Sequence, residues 1–137
     1  MTHTEHDQIV TAALDYIDGW YTGDAARMER ALHPALAKRI QAPDGSGQLA
    51  VTDMSARELI DRTAAGTGTA DPTRRHDVRV LDVFGRAASV RVDATGWVDY
   101  LHLIQTPTGW KIINVLWERR EATPSTPRTP AAAAARP

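Results

Sequence analysis

The period of the apolar residues differs between the two halves of this chain, and that difference limits the fold more than any other feature. From Ile9 to Tyr21 the apolar positions are Ile9, Val10, Ala13, Leu14, Tyr16, Ile17, Trp20 and Tyr21, a spacing of three and four that makes one helical face. Asp7, Asp15 and Asp18 fall opposite. Thr22-Gly23-Asp24 ends that helix on a glycine. Asp24 then caps a second helix, where Met28, Ala31 and Leu32 recur at helical spacing, and Pro34 marks its end. Ser55-Ala56-Arg57-Glu58 is a capping box opening a short third helix, with Leu59 and Ile60 on its apolar side. Beyond these the period falls to two. Residues 78–84, 88–95, 97–105 and 110–117 are β-rich runs joined by turn residues such as Phe84-Gly85-Arg86 and Thr106-Pro107-Thr108-Gly109. Two shorter strands, around 38–41 and 48–52, flank the turn at 42–47. Segregated elements of this kind imply an α+β fold, with helices on one face of a mainly antiparallel sheet.

The chain has 137 residues, enough for one domain with a sizeable core. Residues 7–120 hold every periodic element. The last seventeen residues carry four of the eight prolines and five consecutive alanines, so 121–137 is expected to be a disordered tail, and 1–6 a flexible start. A net charge of −1 removes the electrostatic case for binding nucleic acid or an anionic membrane surface. The absence of cysteine excludes disulfides, thiolate metal sites and cysteine nucleophiles. The longest unbroken apolar run is those five alanines, too short to span a bilayer. The first seven residues lack the pattern of a secretory signal, and a cytoplasmic location is expected.

The segment Asp15-Tyr16-Ile17-Asp18-Gly19-Trp20-Tyr21-Thr22-Gly23-Asp24, followed by Leu32-His33-Pro34, resembles the start of nuclear transport factor 2-like, or SnoaL-like, domains. Asp99-Tyr100-Leu101 and Gly109-Trp110-Lys111-Ile112-Ile113-Asn114 resemble their final hairpin. The likeness is nearest to the branch named for lumazine binding and covers about residues 8–118. It implies a cystatin-like cone, in which three helices pack on a curved sheet around an apolar pocket. It also implies a homodimer through the outer sheet face. Superfamily members include isomerases, dehydratases, cyclases and binding-only domains, so fold alone does not select a reaction.

The strand pattern supplies faces for both roles. Trp97, Asp99, Leu101 and Leu103 share one side of their strand; Val98, Tyr100, His102 and Ile104 share the other. Strict alternation in the last strand puts Ile112, Asn114 and Leu116 on the pocket side. Ile113, Val115 and Trp117 then take the other side, where Val115 and Trp117 join Tyr100 and His102 in the expected dimer interface. Trp20, Leu101, Ile112, Asn114 and Leu116 are the expected ligand contacts, with Asn114 placed to bond Asp99.

Three residues are candidates for proton-transfer chemistry: Tyr16, His33 and Asp99. The resemblance to ketosteroid isomerase puts Tyr16 and Asp99 where that family has its oxyanion-hole tyrosine and aspartic acid. Its general base would fall at about Ile40, and isoleucine takes no proton. His33, at the end of the second helix, is a titratable alternative, or a cap for the last carbonyls of that helix. His3 and His6 have metal-ligand spacing but no third partner, and no metal or other cofactor is expected. The expected function is binding of an apolar or aromatic metabolite, with cofactor-free dehydration, isomerisation or cyclisation as the enzymatic form. The alternative is a binding-only or protein-interaction domain.

Overall fold

The computed structural model describes residues 3–120; the expected tail at 121–137 lies outside them. Nine elements follow in order: α1 (His3–Thr22), α2 (Ala25–Ala31), β1 (Leu32–Pro43), β2 (Leu49–Ser55), α3 (Ala56–Ala64), β3 (His76–Phe84), β4 (Ala87–Ala94), β5 (Trp97–Thr106) and β6 (Gly109–Arg119). One six-stranded sheet runs β2-β1-β6-β5-β4-β3. Every neighbouring pair is antiparallel except β1 and β6, which run parallel because the chain crosses over to bring its last strand beside its first.

The helices form where local chemistry demands. Gly23 adopts φ +70° at the end of α1, and the Gly23 amide closes on the Trp20 carbonyl. The Asp24 carboxylate accepts from the Arg27 amide and starts α2. Both halves of the expected capping box are present at α3: the Ser55 hydroxyl accepts from the Glu58 amide, and the Glu58 carboxylate accepts from the Ser55 amide. The first helix begins at His3, six residues before Ile9, where its apolar period starts.

The core lies between α1 and the concave side of the sheet. Ile9, Ala13, Tyr16, Ile17 and Tyr21 of α1 are buried with Val90 and Val92 of β4, Leu101 and Leu103 of β5, and Ile112 and Val115 of β6. Each of the valines, leucines and isoleucines among them contributes roughly 1.5–3 kcal/mol by leaving water. Asp15 is also buried, contrary to its expected place opposite the apolar face. Its carboxylate ties α1 to α2 by accepting from Arg27 Nε at 2.9 Å and Arg30 Nε at 3.0 Å.

Strict alternation fails in β6, and the cause is a bulge. His102 pairs with Asn114 and Leu103 with Ile112, which leaves Ile113 without an opposite residue. One extra residue reverses the side to which everything beyond it points. Val115 is therefore buried in the core, and Trp117 packs inward edge-on against Trp97, with ring centroids 6.5 Å apart. Asn114 and Leu116 take the outer face. Asn114 is within 3.2 Å of His102 Nδ1 and accepts from Arg39, while Leu116 is exposed. Asn114 thus makes no bond to Asp99. The expected assignment of Val115 and Trp117 to the outer face, and of Asn114 and Leu116 to the pocket, is corrected accordingly.

Candidate functional site

At the end of the sheet where β5 begins and β6 ends, a cavity of about 320 Å³ opens beside the last turn of α1. Its walls are mainly indole: Trp20 from α1, Trp97 from β5 and Trp117 from β6. Met54 and Leu59 complete the apolar lining, and Lys38, Arg62 and Arg119 bring positive charge to it. Trp20 is held by the loop after α3. A side chain at Gly68 would overlap the Trp20 indole, so only glycine lets the backbone pass this close.

Lys38 reaches the cavity because β1 alternates. Leu36 and Ile40 are buried on the inner side of β1, and Lys38 lies between them with the same orientation. Its ammonium donates to Tyr16 Oη at 2.8 Å. It lies 5.1 Å from the Tyr16 ring centroid, 5.3 Å from that of Trp117 and 5.9 Å from that of Trp20, all within cation–π reach. Burial pulls the amine below its ordinary lysine value, against the opposing pull of Asp99 and with help from the nearby Arg62 charge.

Behind Lys38 the chain of hydrogen bonds runs inward. Tyr16 donates to Asp99 Oδ2 at 3.0 Å, and the Trp97 indole N–H donates to the same oxygen at 2.8 Å. Asp99 is fully buried, and its Oδ1 has no hydrogen-bond partner among the described residues. Burial raises the Asp99 carboxyl above its usual range, although Lys38, Trp97 and Tyr16 all favour the ionised form. When the acid is neutral its proton belongs on Oδ1, because Oδ2 already accepts two donors. Burial, and then the Asp99 charge, push the Tyr16 phenol well above its ordinary value, which keeps it neutral.

The expected site residues divide into three groups. Tyr16, Asp99 and Trp20 meet around Lys38. Leu101 and Ile112 lie in the packed core and not on the cavity wall. His33, Asn114 and Leu116 lie elsewhere. His33 belongs to β1, not to the end of α2, whose C-cap is Leu32; its Nδ1 accepts from the Ala35 amide and closes the turn around Pro34. Sequence reasoning missed Lys38, although its signal was available: Leu36, Lys38 and Ile40 repeat at period two, with the cation two residues before the position aligned with the isomerase base. It also missed Arg62 and Arg119, which carry no local pattern. Among the described residues, no group of three His, Cys, Asp or Glu side chains is placed to hold a metal ion. The side chain of His3 lies outside what is described.

A family model described as "Putative lumazine-binding" matches residues 4–118. A nuclear transport factor 2-like protein of unknown function from Methylobacillus flagellatus superposes with a TM-score of 0.68 at 20% identity, covering 88% of this chain and 96% of its own. One from Shewanella baltica gives 0.65 at 15% identity, covering 89% and 99%. A structure described as "a putative dehydratase from the NTF2-like family", from Streptomyces avermitilis, gives 0.55 at 16% identity, covering 87% and 98%. A search of the curated proteins finds no match. At these identities the structural likenesses carry the fold alone.

Proposed function

Because the chain belongs to the family described as putative lumazine-binding, with a nuclear transport factor 2-like fold, we propose that it binds a small aromatic molecule in the cavity among Trp20, Trp97 and Trp117. The observation that carries this reading is the convergence of three of the four tryptophans on one hollow, with a single titratable chain behind it. Indole walls stack on planar rings and gain about 0.5–1.5 kcal/mol per aromatic pair beyond the burial of area. A volume of about 320 Å³ is at the small end of ligand pockets and suits one or two fused rings.

Chemistry, where it occurs, passes through Lys38. Tyr16 and Asp99 are the candidates from the ketosteroid isomerase resemblance, yet Tyr16 already donates to Asp99, and neither lines the cavity. Lys38 is the group that touches both the cavity and this pair. An ammonium made more acidic by burial can give a proton to a bound ligand and take it back, while Tyr16 holds it in position. The closed Tyr16–Asp99 bond favours binding over catalysis as the basal function. The dehydratase-like neighbour supports dehydration as the first reaction to assay.

The outer sheet face supports a homodimer as part of the same reading. Tyr100, Leu116, Val51 and Phe84 are exposed there, His102 lies among them, and an open hollow of about 590 Å³ runs beside Phe84, Ile104 and Ile113. Val115 and Trp117 take no part in it.

The test of the binding reading is a thermal-shift screen of aromatic compounds against the protein and its Met54→Trp variant. A ligand at one hundred times its Kd stabilises the native state by about 2.7 kcal/mol. The substitution fills the cavity, so hits are expected to raise the Tm of the original protein and not of the variant. Equal shifts in both would place binding elsewhere.

A further inference from the structure

Resting on the reading of the indole-walled cavity as a ligand site, we propose that its ligand is an anion: a one- or two-ring aromatic molecule bearing a carboxylate, met by Lys38, Arg62 and Arg119. Three cations line the cavity, and among the described residues no carboxylate does. This is a local excess in a chain with 16 basic and 17 acidic residues.

Six of the other arginines are matched to acids. Asp15 takes Arg27 and Arg30, and Asp93 takes Arg91 and Arg120. Asp61, the residue before Arg62, faces Arg57 one helical turn back. Arg62 and Arg119 make no ion pair among the described residues, and the partner of the Arg119 guanidinium is the Trp117 ring, at 4.8 Å. Asp99 is a poor counter-ion for this cluster. It is fully buried, its Oδ2 is occupied by Tyr16 and Trp97, and it does not reach the cavity wall.

A ligand carboxylate supplies the missing charge. Guanidinium groups present paired N–H donors that match two carboxylate oxygens, and such charge-assisted bonds are roughly twice as strong as neutral ones. The three cations come from three elements, β1, α3 and the end of β6, so the anion would tie these elements together at the cavity mouth. The ring system lies against the indoles, whereas a neutral aromatic of the same shape would leave the charge unmet.

The experiment compares 2-naphthoate with 2-naphthamide by isothermal titration calorimetry at low ionic strength. The two probes share a ring system and differ in charge. Naphthoate is expected to bind about tenfold tighter or better, a difference that narrows with added salt. In the double variant Arg62→Gln, Arg119→Gln the preference should shrink severalfold, leaving only the share that Lys38 supplies. Both arginines are exposed, so the variant should keep its fold, checked by an unaltered circular dichroism spectrum. Equal binding of the two probes, or a preference undiminished in the double variant, overturns the charge assignment and leaves the cavity reading standing. Failure of both probes to bind overturns the cavity reading, and this proposal with it.

Discussion

Asp99 is where burial and chemistry compete most directly. Its carboxyl has left water entirely, and only one of its two oxygens has found donors. An unpartnered buried oxygen costs on the order of 1–3 kcal/mol, which adds to the pressure toward the neutral acid. The sign of the pH dependence follows. With its pKa raised in the native state, Asp99 holds its proton to higher pH than in the unfolded chain, so between the unfolded value of about 4 and the native value the unfolded state binds fewer protons. Stability from this group is therefore full at low pH and falls as pH rises through that window. Asp99→Asn removes the titration while its amide oxygen still accepts from Tyr16 and Trp97. Urea unfolding between about pH 4 and pH 8 should show the original protein losing stability relative to the variant as pH rises. Parallel curves would mean that Asp99 titrates alike in both states.

Among the elements, the loop after α3 and the bulge in β6 decide what the cavity looks like. Gly68 lets the loop backbone rest on Trp20, and a methyl at that position would drive the indole toward the cavity. Gly68→Ala is expected to weaken aromatic ligand binding about tenfold, with a stability loss of about 1–3 kcal/mol from overpacking. Calorimetry gives the first and thermal unfolding the second; unchanged affinity would show that Trp20 does not form the binding wall. The helical face of α1, the glycine stop at Gly23 and the Ser55 capping box were legible in the sequence because each depends on residues within a few positions of one another. The bulge at Ile113 was not, since it is a property of the pairing between β5 and β6. That one unpaired residue moved Trp117 into the site and Asn114 and Leu116 out of it. Lys38 was half-legible: its period-two place between Leu36 and Ile40 marks it as inward, but its contact with Tyr16 joins β1 to α1 across 22 positions.

At the scale of the whole molecule, the two faces of the sheet differ in what they cover. The inner face holds the core and the end that opens into the cavity. The outer face exposes Tyr100 at 41%, Leu116 at 54% and Phe84 at 87% of their surfaces, which a second copy would cover. Sedimentation equilibrium should give twice the 15.0 kDa chain mass at micromolar concentration, and Leu116→Arg should return it to a single chain. A monomer of the unaltered protein would remove the dimer from the account. No helix among the described residues is long and apolar enough to cross a membrane. Binding of a ligand in the hollow among three indoles is directly measurable through the four tryptophans. Trp20, Trp97 and Trp117 line the cavity, whereas Trp110 is buried near the opposite end of β6. In a proton–nitrogen correlation spectrum titrated with 2-naphthoate, the indole signals of Trp20, Trp97 and Trp117 should shift together with one binding constant while that of Trp110 stays still. A titration that moves Trp110 and leaves the other three in place would contradict it.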